Sequence, residues 1–491
     1  MSSIKTNCVS KQSVKYQVLN REQCEEIVNA TYRVLERTGC IIHNKVALQL
    51  MKEAGCFVEG ERVRIPSFVL KKAISTTPSR LTLYDRMGNP AVYLEANKSY
   101  FGPGPTNTFI IDIETGKRRR VTKADVVNTA MVCEALPNTA WTSALAMVSD
   151  YDFPDLHEVH AMLPHTTKPI LTWASNVDNL KDIVDMCAAA AGGIDKLTEK
   201  PLVMFIICPN DPLVHSDDAV SQILYLAEKR LPFQYVSGVT FGGSGPITIA
   251  GANVVGLADT LVGLIISQLK NPGAPFIAAK ATDNLNMRTL AISHSKPEFV
   301  LAQAATADIF RYLDLPFAAN LGESDSPVFD QQAAFDITMQ LYTGALSGAN
   351  LNNFVGFLET CNTGSLEAMV FGNEAVSYIR RMVEGIEVSA ETLAEEVIHN
   401  VGPGGTFLAE EHTFKHFKES WQPSVLMSQP REEWEAAGKK DLGDRLNAKV
   451  KEIIAQGTQN PLSDKVMEQL DEILARAEAR ISHAGHHSTE R

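Results

Sequence analysis

The chain has 491 residues, 45% of them hydrophobic, and its 58 acidic against 45 basic side chains give a net charge of −13 at pH 7. An acidic surface repels nucleic-acid phosphates and anionic lipids, so we expect neither a nucleic-acid partner nor a membrane partner. The cysteines form no CxxC pair and the first thirteen residues contain no apolar signal-peptide core, so we expect a cytoplasmic protein.

The sequence of the N-terminal part of the chain predicts helices followed by hairpins. Apolar residues recur at three- and four-residue spacing between positions 20 and 75, which predicts helices. Two pairs of β-rich segments follow, 81–84 with 92–94 and 109–113 with 118–121, each pair joined by a turn sequence. We expect both to be hairpins that close one end of the fold.

Eight short apolar runs, each followed by a helical stretch, dominate the middle of the chain. They lie at 99–102, 141–147, 169–174, 202–208, 233–238, 275–280, 316–321 and 352–357. Eight strand–helix alternations predict an α/β protein with a (β/α)8 TIM barrel, whose chemistry lies where the strands end. The apolar stretch 247–269 resembles a membrane span, but we interpret it as a buried helix of this barrel.

The 491 residues exceed what a barrel needs, so we predict three parts. Residues 1–97 form an N-terminal helical and β-hairpin elaboration, 98–385 form the barrel, and 386–491 form a C-terminal helical extension. Within the last 120 residues we expect helices near 373–381, 390–398, 441–454 and 463–481.

Aromatic rings and carboxylates alternate at the predicted strand ends, a combination that suits a methylated ammonium ion. Such a cation has no N–H to donate, so it is held by ring faces and diffuse negative charge. The candidate substrate-binding residues are Phe101, Trp173, Tyr235, Phe354, Phe357 and Asn210. Glu323 and Glu359 are candidates for positioning the cation, and we assign no catalytic residue. The alternative is that these rings only fill the core.

Metal ligation is a weaker hypothesis, and we predict no metal in this chain. His157 with His160 and His412 with His416 are spaced to share a helix face, but neither pair forms a known zinc motif. Cys208 and Cys361 lie at strand ends, where either could meet a histidine, so a zinc-dependent methyltransferase stays open as an alternative.

Several longer strings, taken in order, are more specific than any single motif. They are IETGKRR at 113–119, DLH at 155–157, GGSGPITIAG at 242–251, NMRT at 286–289, SDS at 324–326, GANL at 348–351, VGPGG at 401–405 and HTFKHF at 412–417. Together they resemble the trimethylamine methyltransferase family over nearly the whole chain.

The resemblance implies a barrel enzyme that passes a methyl group from a methylated amine to Co(I) of a small corrinoid protein. From Asp155 the sequence resembles the start of the corrinoid-binding motif DxHxxG, but His160 stands where the motif has glycine. We therefore expect that this chain binds no cofactor itself. A partner protein is expected to supply the cobalamin or corrinoid. We also expect a homo-oligomer, because barrels of this size often pair through helical surfaces.

The resemblance also bears on the methyl donor. Trimethylamine enzymes of the family carry pyrrolysine, whereas this sequence contains only standard residues. A quaternary amine needs no such activation because it expels a neutral amine, so the expected donor is glycine betaine or a related betaine. Arg288 is the candidate anchor for the donor's carboxylate; an ion pair with Asp283 is its alternative role. A non-catalytic protein that binds methylated amines is a further alternative.

Overall fold

A parallel sheet forms the centre of this computed structural model, which describes residues 4–5 and 14–488. Its seven strands are β1 (Lys98–Phe101), β2 (Ile170–Thr172), β3 (Val203–Ile207), β4 (Phe233–Thr240), β5 (Phe276–Leu285), β6 (Phe317–Ala319) and β7 (Leu351–Asn352). From β2 to β7 each strand pairs in parallel with the next, and β7 pairs with β1. The predicted α/β class is confirmed, with seven of the eight apolar runs contributing to strands of this sheet.

The remaining apolar run, 141–147, contributes isolated bridges instead of a full strand. Phe101 forms a parallel bridge with Thr139, and Thr142 forms one with Ile170, so this segment lies between β1 and β2. A further departure from prediction concerns the run 352–357. Only its first residue belongs to β7, and Phe357–Leu358 forms a short strand in a different sheet.

Eight helices accompany the sheet. They are α1 (Lys123–Ala135), α2 (Pro154–Met162), α3 (Val177–Ala191), α4 (Asp217–Lys229), α5 (Ile249–Lys270), α6 (Pro297–Tyr312), α7 (Gln331–Ser347) and α8 (Leu366–Val383). Side-chain caps begin most of them: Asn176, Ser216, Thr248, Asp330 and Ser365 each accept a hydrogen bond from a first-turn backbone N–H.

The two predicted hairpins are present, at Leu81–Tyr84 with Pro90–Leu94 and at Phe109–Ile111 with Arg118–Arg120. The first packs its apolar face on inward-facing residues such as Leu171 and Ile277, next to the amino ends of β2 and β3. The second pairs with Thr363–Gly364, which follows β7. The expectation that both close the same end is therefore wrong, because the second hairpin is recruited to the carboxyl edge of the sheet by the chain after β7.

Helix α5 is the apolar stretch that resembles a membrane span. Its mean hydropathy reaches 1.9 over an 18-residue window, of which 72% is buried within the protein. One side packs on β4 and β5, where Gly263 lies against the ring of Tyr235. The other side is covered by Arg21–Arg37, Lys45–Glu53 and Ser67–Thr76. Because protein covers it on both sides, α5 carries apolar residues on both sides, together with a few buried polar ones such as Asp259.

The N-terminal and C-terminal segments form an outer layer. Residues 20–75 hold the predicted helices, but also the strands Cys40–Ile42, Phe57–Glu59 and Arg62–Arg64, which helical periodicity alone did not reveal. The C-terminal helices are Ala390–Leu393, Glu395–Val401, Glu411–His416, Arg431–Ala436, Leu442–Ala455 and Asp464–Ser488. The predicted helix 373–381 is part of α8. The three-part division of the chain stays a prediction.

Lys280 on β5 points away from the sheet interior and lies against α5 and α6. Its side chain is buried, it hydrogen-bonds Asn253, and burial lowers its pKa from 10.5 to about 7. The unfolded chain therefore binds more protons than the folded chain between about pH 7 and 10.5, so folding stability rises with pH across this window.

We expect Lys280→Met, which keeps the side-chain volume, to stabilise the protein by about 2–4 kcal/mol at pH 7. The gain should vanish above about pH 10.5, where both states of the wild type carry a neutral amine. Urea unfolding of both proteins from pH 7 to 11 measures this; a gain that does not depend on pH would contradict the electrostatic origin.

Candidate functional site

Four polar side chains meet at the carboxyl edge of the sheet, where β5, β6 and the chain after β7 end. The first two come from one hairpin. After β5 the chain turns at 286–291 and returns, so that Ser293 pairs antiparallel with Asn284. This register places His294 beside Asp283, and its Nε2 lies 3.0 Å from Asp283 Oδ1.

Glu323 supplies the third side chain, four residues after β6. Gly322 precedes it with a φ of +121°, a conformation that favours glycine. The backbone N–H groups of Gly322 and Glu323 both donate to Gln340 Oε1, at 2.9 and 3.1 Å, and Gln340 in turn donates to the carbonyl of His294. The fully buried Glu323 carboxylate lies 2.8 Å from His294 Nδ1.

Cys361 completes the cluster. Its Sγ donates to Glu323 Oε2 at 3.1 Å and lies 3.6 Å from His294 Nδ1. Glu359, Thr360 and Cys361 have successive φ values of 54°, 52° and 60°, which cost on the order of 1 kcal/mol or more for each non-glycine residue. Strain of this kind persists where surrounding contacts impose it, and here it aims the thiol at the carboxylate.

The charges of the cluster do not cancel. Burial alone would lower the pKa of His294, but Glu323, Cys361 and Asp283 raise it well above its usual value. Burial, followed by the charge of Glu323, raises the pKa of the Cys361 thiol well above its usual value. One imidazolium and a neutral thiol therefore face two carboxylates, which leaves a net charge of about −1.

Aromatic rings lie on either side of this cluster. The His294 ring stacks on Phe299 with centroids 4.7 Å apart and is 6.4 Å from Phe354, which stacks on Phe357 at 5.0 Å. Ring faces next to excess negative charge can hold a cation that offers no hydrogen-bond donor. The structure thus brings together three of the sequence-predicted residues, namely Glu323, Phe354 and Phe357.

Three other predicted aromatic residues point elsewhere. Tyr235 faces the helix layer, where its hydroxyl lies 2.7 Å from His215 Nδ1. Phe101 packs among the apolar side chains of α7 and α8. Trp173 donates through Nε1 to the buried Glu158 at 3.0 Å.

The remaining polar candidates also lie outside the cluster. Glu359 forms an ion pair with Arg118, at 2.8 Å, and accepts a hydrogen bond from Thr363. Asn210 is exposed on a loop after β3. Arg288 is exposed at the tip of the 286–291 turn, and the ion pair predicted as its alternative role is not formed, because Asp283 pairs with His294.

Sequence reasoning missed His294 altogether and named Asp283 only as a possible ion-pair partner of Arg288. Cys361 was considered for a metal site, and among the described residues it, and not Cys208, does meet a histidine. The available signal was the pattern after β5: a turn at 286–291 followed by Ile292–Ser293, which predicts a short return strand and hence a residue brought back beside Asp283.

Comparisons with known proteins identify the family of the chain and agree with its fold. The sequence model described as trimethylamine methyltransferase (MTTB) matches residues 2–482. Trimethylamine methyltransferase MttB of Desulfitobacterium hafniense (strain DSM 10664 / DCB-2) is 32% identical over 420 residues, which cover 85% of this chain and 84% of that protein. Glycine betaine methyltransferase of Desulfitobacterium hafniense (strain Y51) is 27% identical over 467 residues, or 94% and 97% of the two chains.

A solved structure supports the same architecture. The crystal structure of Methanosarcina barkeri monomethylamine methyltransferase (MtmB) superimposes with a TM-score of 0.52 at 12% identity, covering 95% of this chain and 88% of that one. At this identity the likeness concerns the fold alone. Because the sequence match spans almost the entire chain, the protein is a methyltransferase that belongs to the trimethylamine methyltransferase family.

Proposed function

We propose that this methyltransferase transfers a methyl group from a quaternary amine, glycine betaine or a related betaine, to Co(I) of a cognate corrinoid protein, without pyrrolysine. The observation that carries the proposal is the pairing of stacked rings with a cluster of net negative charge, at Phe354 and Glu323. The near full-length likeness to a relative named glycine betaine methyltransferase supports the same donor class.

The proposed fold is a closed (β/α)8 barrel with the cluster at its mouth. The support is that the segment 139–142 forms parallel bridges to both β1 and β2, the first and last of the seven parallel strands; the short strand Ile4–Lys5 pairs antiparallel with β1. Closure would gather the loops after all strands around one opening, which is where such barrels hold their substrates.

The proposed reaction requires the protein mainly to position the methyl donor in line with the acceptor. The C–N bond breaks as the acceptor cobalt forms a bond to the methyl carbon, the C–N electron pair stays on nitrogen, and a neutral tertiary amine leaves without a proton. The positive charge on nitrogen disappears in this step, so full contact with a carboxylate would stabilise the donor more than the transition state. Phe354 can instead hold the cation by its ring face, worth about 0.5–2 kcal/mol.

The cobalt would arrive on the partner protein. His157, the histidine of the DxHxxG-like string, is buried, stacks on Tyr151 and lies 3.4 Å from Glu478. It is therefore engaged within this chain and poorly placed to ligate a corrinoid. Met287 and Leu290 on the turn beside the cluster expose 63% and 69% of their surfaces, which suits contact with a docking protein.

The expected homo-oligomer has support in the C-terminal extension. Ile386, Leu408 and Phe414 expose 83%, 86% and 79% of their surfaces. Apolar side chains this exposed on one segment are typical of an interface between protein subunits.

A donor panel tests the proposed function. The purified protein and a reduced corrinoid protein are mixed with glycine betaine, other betaines, or trimethylamine, and methylation of the corrinoid is followed by absorbance. We expect product only with quaternary donors; demethylation of trimethylamine with no reaction of betaines would contradict the proposal. Binding of betaines without any product would support the non-catalytic alternative instead.

The same panel tests the anchor role of Arg288. Arg288→Ala should raise KM for carboxylated donors and leave quaternary donors without a carboxylate unchanged. An equal effect on both kinds of donor would assign Arg288 to docking of the corrinoid protein.

A further inference from the structure

The cluster at the carboxyl edge contains one nitrogen, one sulfur and the two oxygens of one carboxylate, which converge from three separate loops. His294 Nδ1 and Cys361 Sγ are 3.6 Å apart, Sγ and Glu323 Oε2 are 3.1 Å apart, and Nδ1 and Glu323 Oε1 are 2.8 Å apart. Imidazole, thiolate and carboxylate are the three ligand types that zinc uses in proteins.

These separations are close to those of a tetrahedral zinc site. Zn–N of about 2.05 Å and Zn–S of about 2.3 Å place nitrogen and sulfur about 3.6 Å apart, and place the oxygen about 3.3–3.5 Å from either. The nitrogen–sulfur separation already matches. The separations to the carboxylate, 2.8 Å from Oε1 to the nitrogen and 3.1 Å from Oε2 to the sulfur, are about 0.4–0.5 Å shorter than these values, and a rotation of the Glu323 side chain that presents one oxygen to the metal would widen them.

A polar atom in the cluster lacks a hydrogen-bond partner. Glu323 is fully buried, and its Oε1 accepts no hydrogen bond from the described residues, although His294 Nδ1 lies close by without the alignment of one. The imidazolium compensates the charge of this oxygen but forms no aligned hydrogen bond with it, and a metal cation between the two groups would bond the oxygen directly.

The groups behind the three ligands are arranged as metal sites require. His294 offers Nδ1 to the cluster while Nε2 faces Asp283, the carboxylate–histidine pair that orients metal-bound imidazoles. Asp325 accepts hydrogen bonds from the backbone of His294 and from Thr360 Oγ1, which ties together the loops that carry His294 and Cys361.

We propose that His294, Glu323 and Cys361 bind a zinc-type divalent cation, with Asp283 as the carboxylate behind the histidine and a fourth position open to water or a substrate oxygen. Binding displaces one proton from the imidazole and one from the thiol, so the net charge of the cluster stays near −1. The site departs from the expectation that the chain binds no metal, and it does not depend on the identity of the methyl donor.

A second group of potential ligands provides a control. Glu391, His412 and His416 also converge, but Glu391 is more than half exposed and all of them lie on the C-terminal extension. His416 Nδ1 lies 2.6 Å from Glu419, and the cluster contains no sulfur. Metal bound there would lack any thiolate signature.

The test uses Co2+ as a spectroscopic substitute for Zn2+, with no corrinoid and no amine present. The full-length protein is stripped with a chelator, titrated with Co2+, and then challenged with Zn2+. We expect one equivalent per chain with a thiolate-to-cobalt charge-transfer band and the intense visible bands of four-coordinate Co2+, all lost when Zn2+ is added.

Variants assign the ligands. Cys361→Ser should abolish the charge-transfer band and weaken binding at least tenfold, and Asp283→Asn should weaken it about 10–100-fold while keeping the band. His412→Ala should leave the band unchanged. Absence of Co2+ binding by the wild type, or persistence of the band in Cys361→Ser, would overturn the proposal. If Cys361→Ser does not fold, Glu323→Gln takes its place. We expect Glu323→Gln to bind Co2+ more weakly than the wild type, and unchanged Co2+ binding by this variant would overturn the proposal.

Discussion

Glu323→Gln raises the KM for a quaternary donor by about 10²-fold and does not lower kcat. The substitution removes one negative charge from the cluster at nearly constant shape. A unit charge about 6 Å from the ammonium, at an effective dielectric constant of 20, is worth on the order of 3 kcal/mol. Because the positive charge on nitrogen fades in the transition state, the bound donor loses more of this stabilisation than the transition state does, so KM rises while kcat stays the same or increases.

Steady-state kinetics with saturating reduced corrinoid protein measures this effect. Glu359→Gln is the matched control, because sequence reasoning gave both glutamates the same role while the structure pairs Glu359 with Arg118. Its KM should stay within about twofold of the wild type. Equal effects of the two variants, or an unchanged KM in Glu323→Gln, would show that the buried carboxylate does not act on the cation.

Glu374→Ala destabilises the protein by about 3–5 kcal/mol. The buried Glu374 of α8 accepts hydrogen bonds from the backbone N–H groups of Ser424, Val425 and Leu426, and from the Ser424 hydroxyl. Truncation leaves four donors without this acceptor, three backbone N–H groups and one hydroxyl, and each donor that stays away from water costs about 1–3 kcal/mol. The segment that links the C-terminal extension to α8 should therefore detach.

Urea unfolding and limited proteolysis check this expectation together. We expect a lower urea midpoint and new cleavage between residues 417 and 430. Glu384→Ala, which changes an exposed carboxylate at the end of the same helix, should change stability by less than about 0.5 kcal/mol. Resistance of Glu374→Ala to protease at the wild-type level would mean that other contacts hold the segment.

The strands were predictable because parallel strands buried on both faces form continuous apolar runs, such as 202–208 and 233–238. The same continuous apolar character makes it impossible to read from the sequence which side chains of a strand face inward. Periodicity cannot tell which residues of a fully buried strand face inward, so Tyr235 and Phe101 were assigned to the site although both face the helices. The structure places Phe354, which follows β7, and Phe357, on the next short strand, near the pair formed by His294 and Glu323.

The core of the site was harder to predict because it forms by contacts between distant residues. His294 reaches Asp283 through a hairpin that extends β5 beyond its apolar run, and polar residues such as Asn284 obscure that extension. Cys361 reaches Glu323 only because three consecutive residues adopt left-handed conformations, for which the sequence gives no glycine signal. Local patterns predict elements, whereas this cluster depends on long-range register.

The cover over α5 has a consequence for the order in which the chain is made. The three helices that cover it lie between Arg21 and Thr76 and are synthesised more than 150 residues before α5. They are therefore available to cover the apolar surface of α5 as soon as that helix is made. A shortened protein starting at the boundary inferred at residue 98 would lose that cover. Such a protein would expose one side of the 22-residue helix α5, and we expect it to aggregate more readily than the full chain.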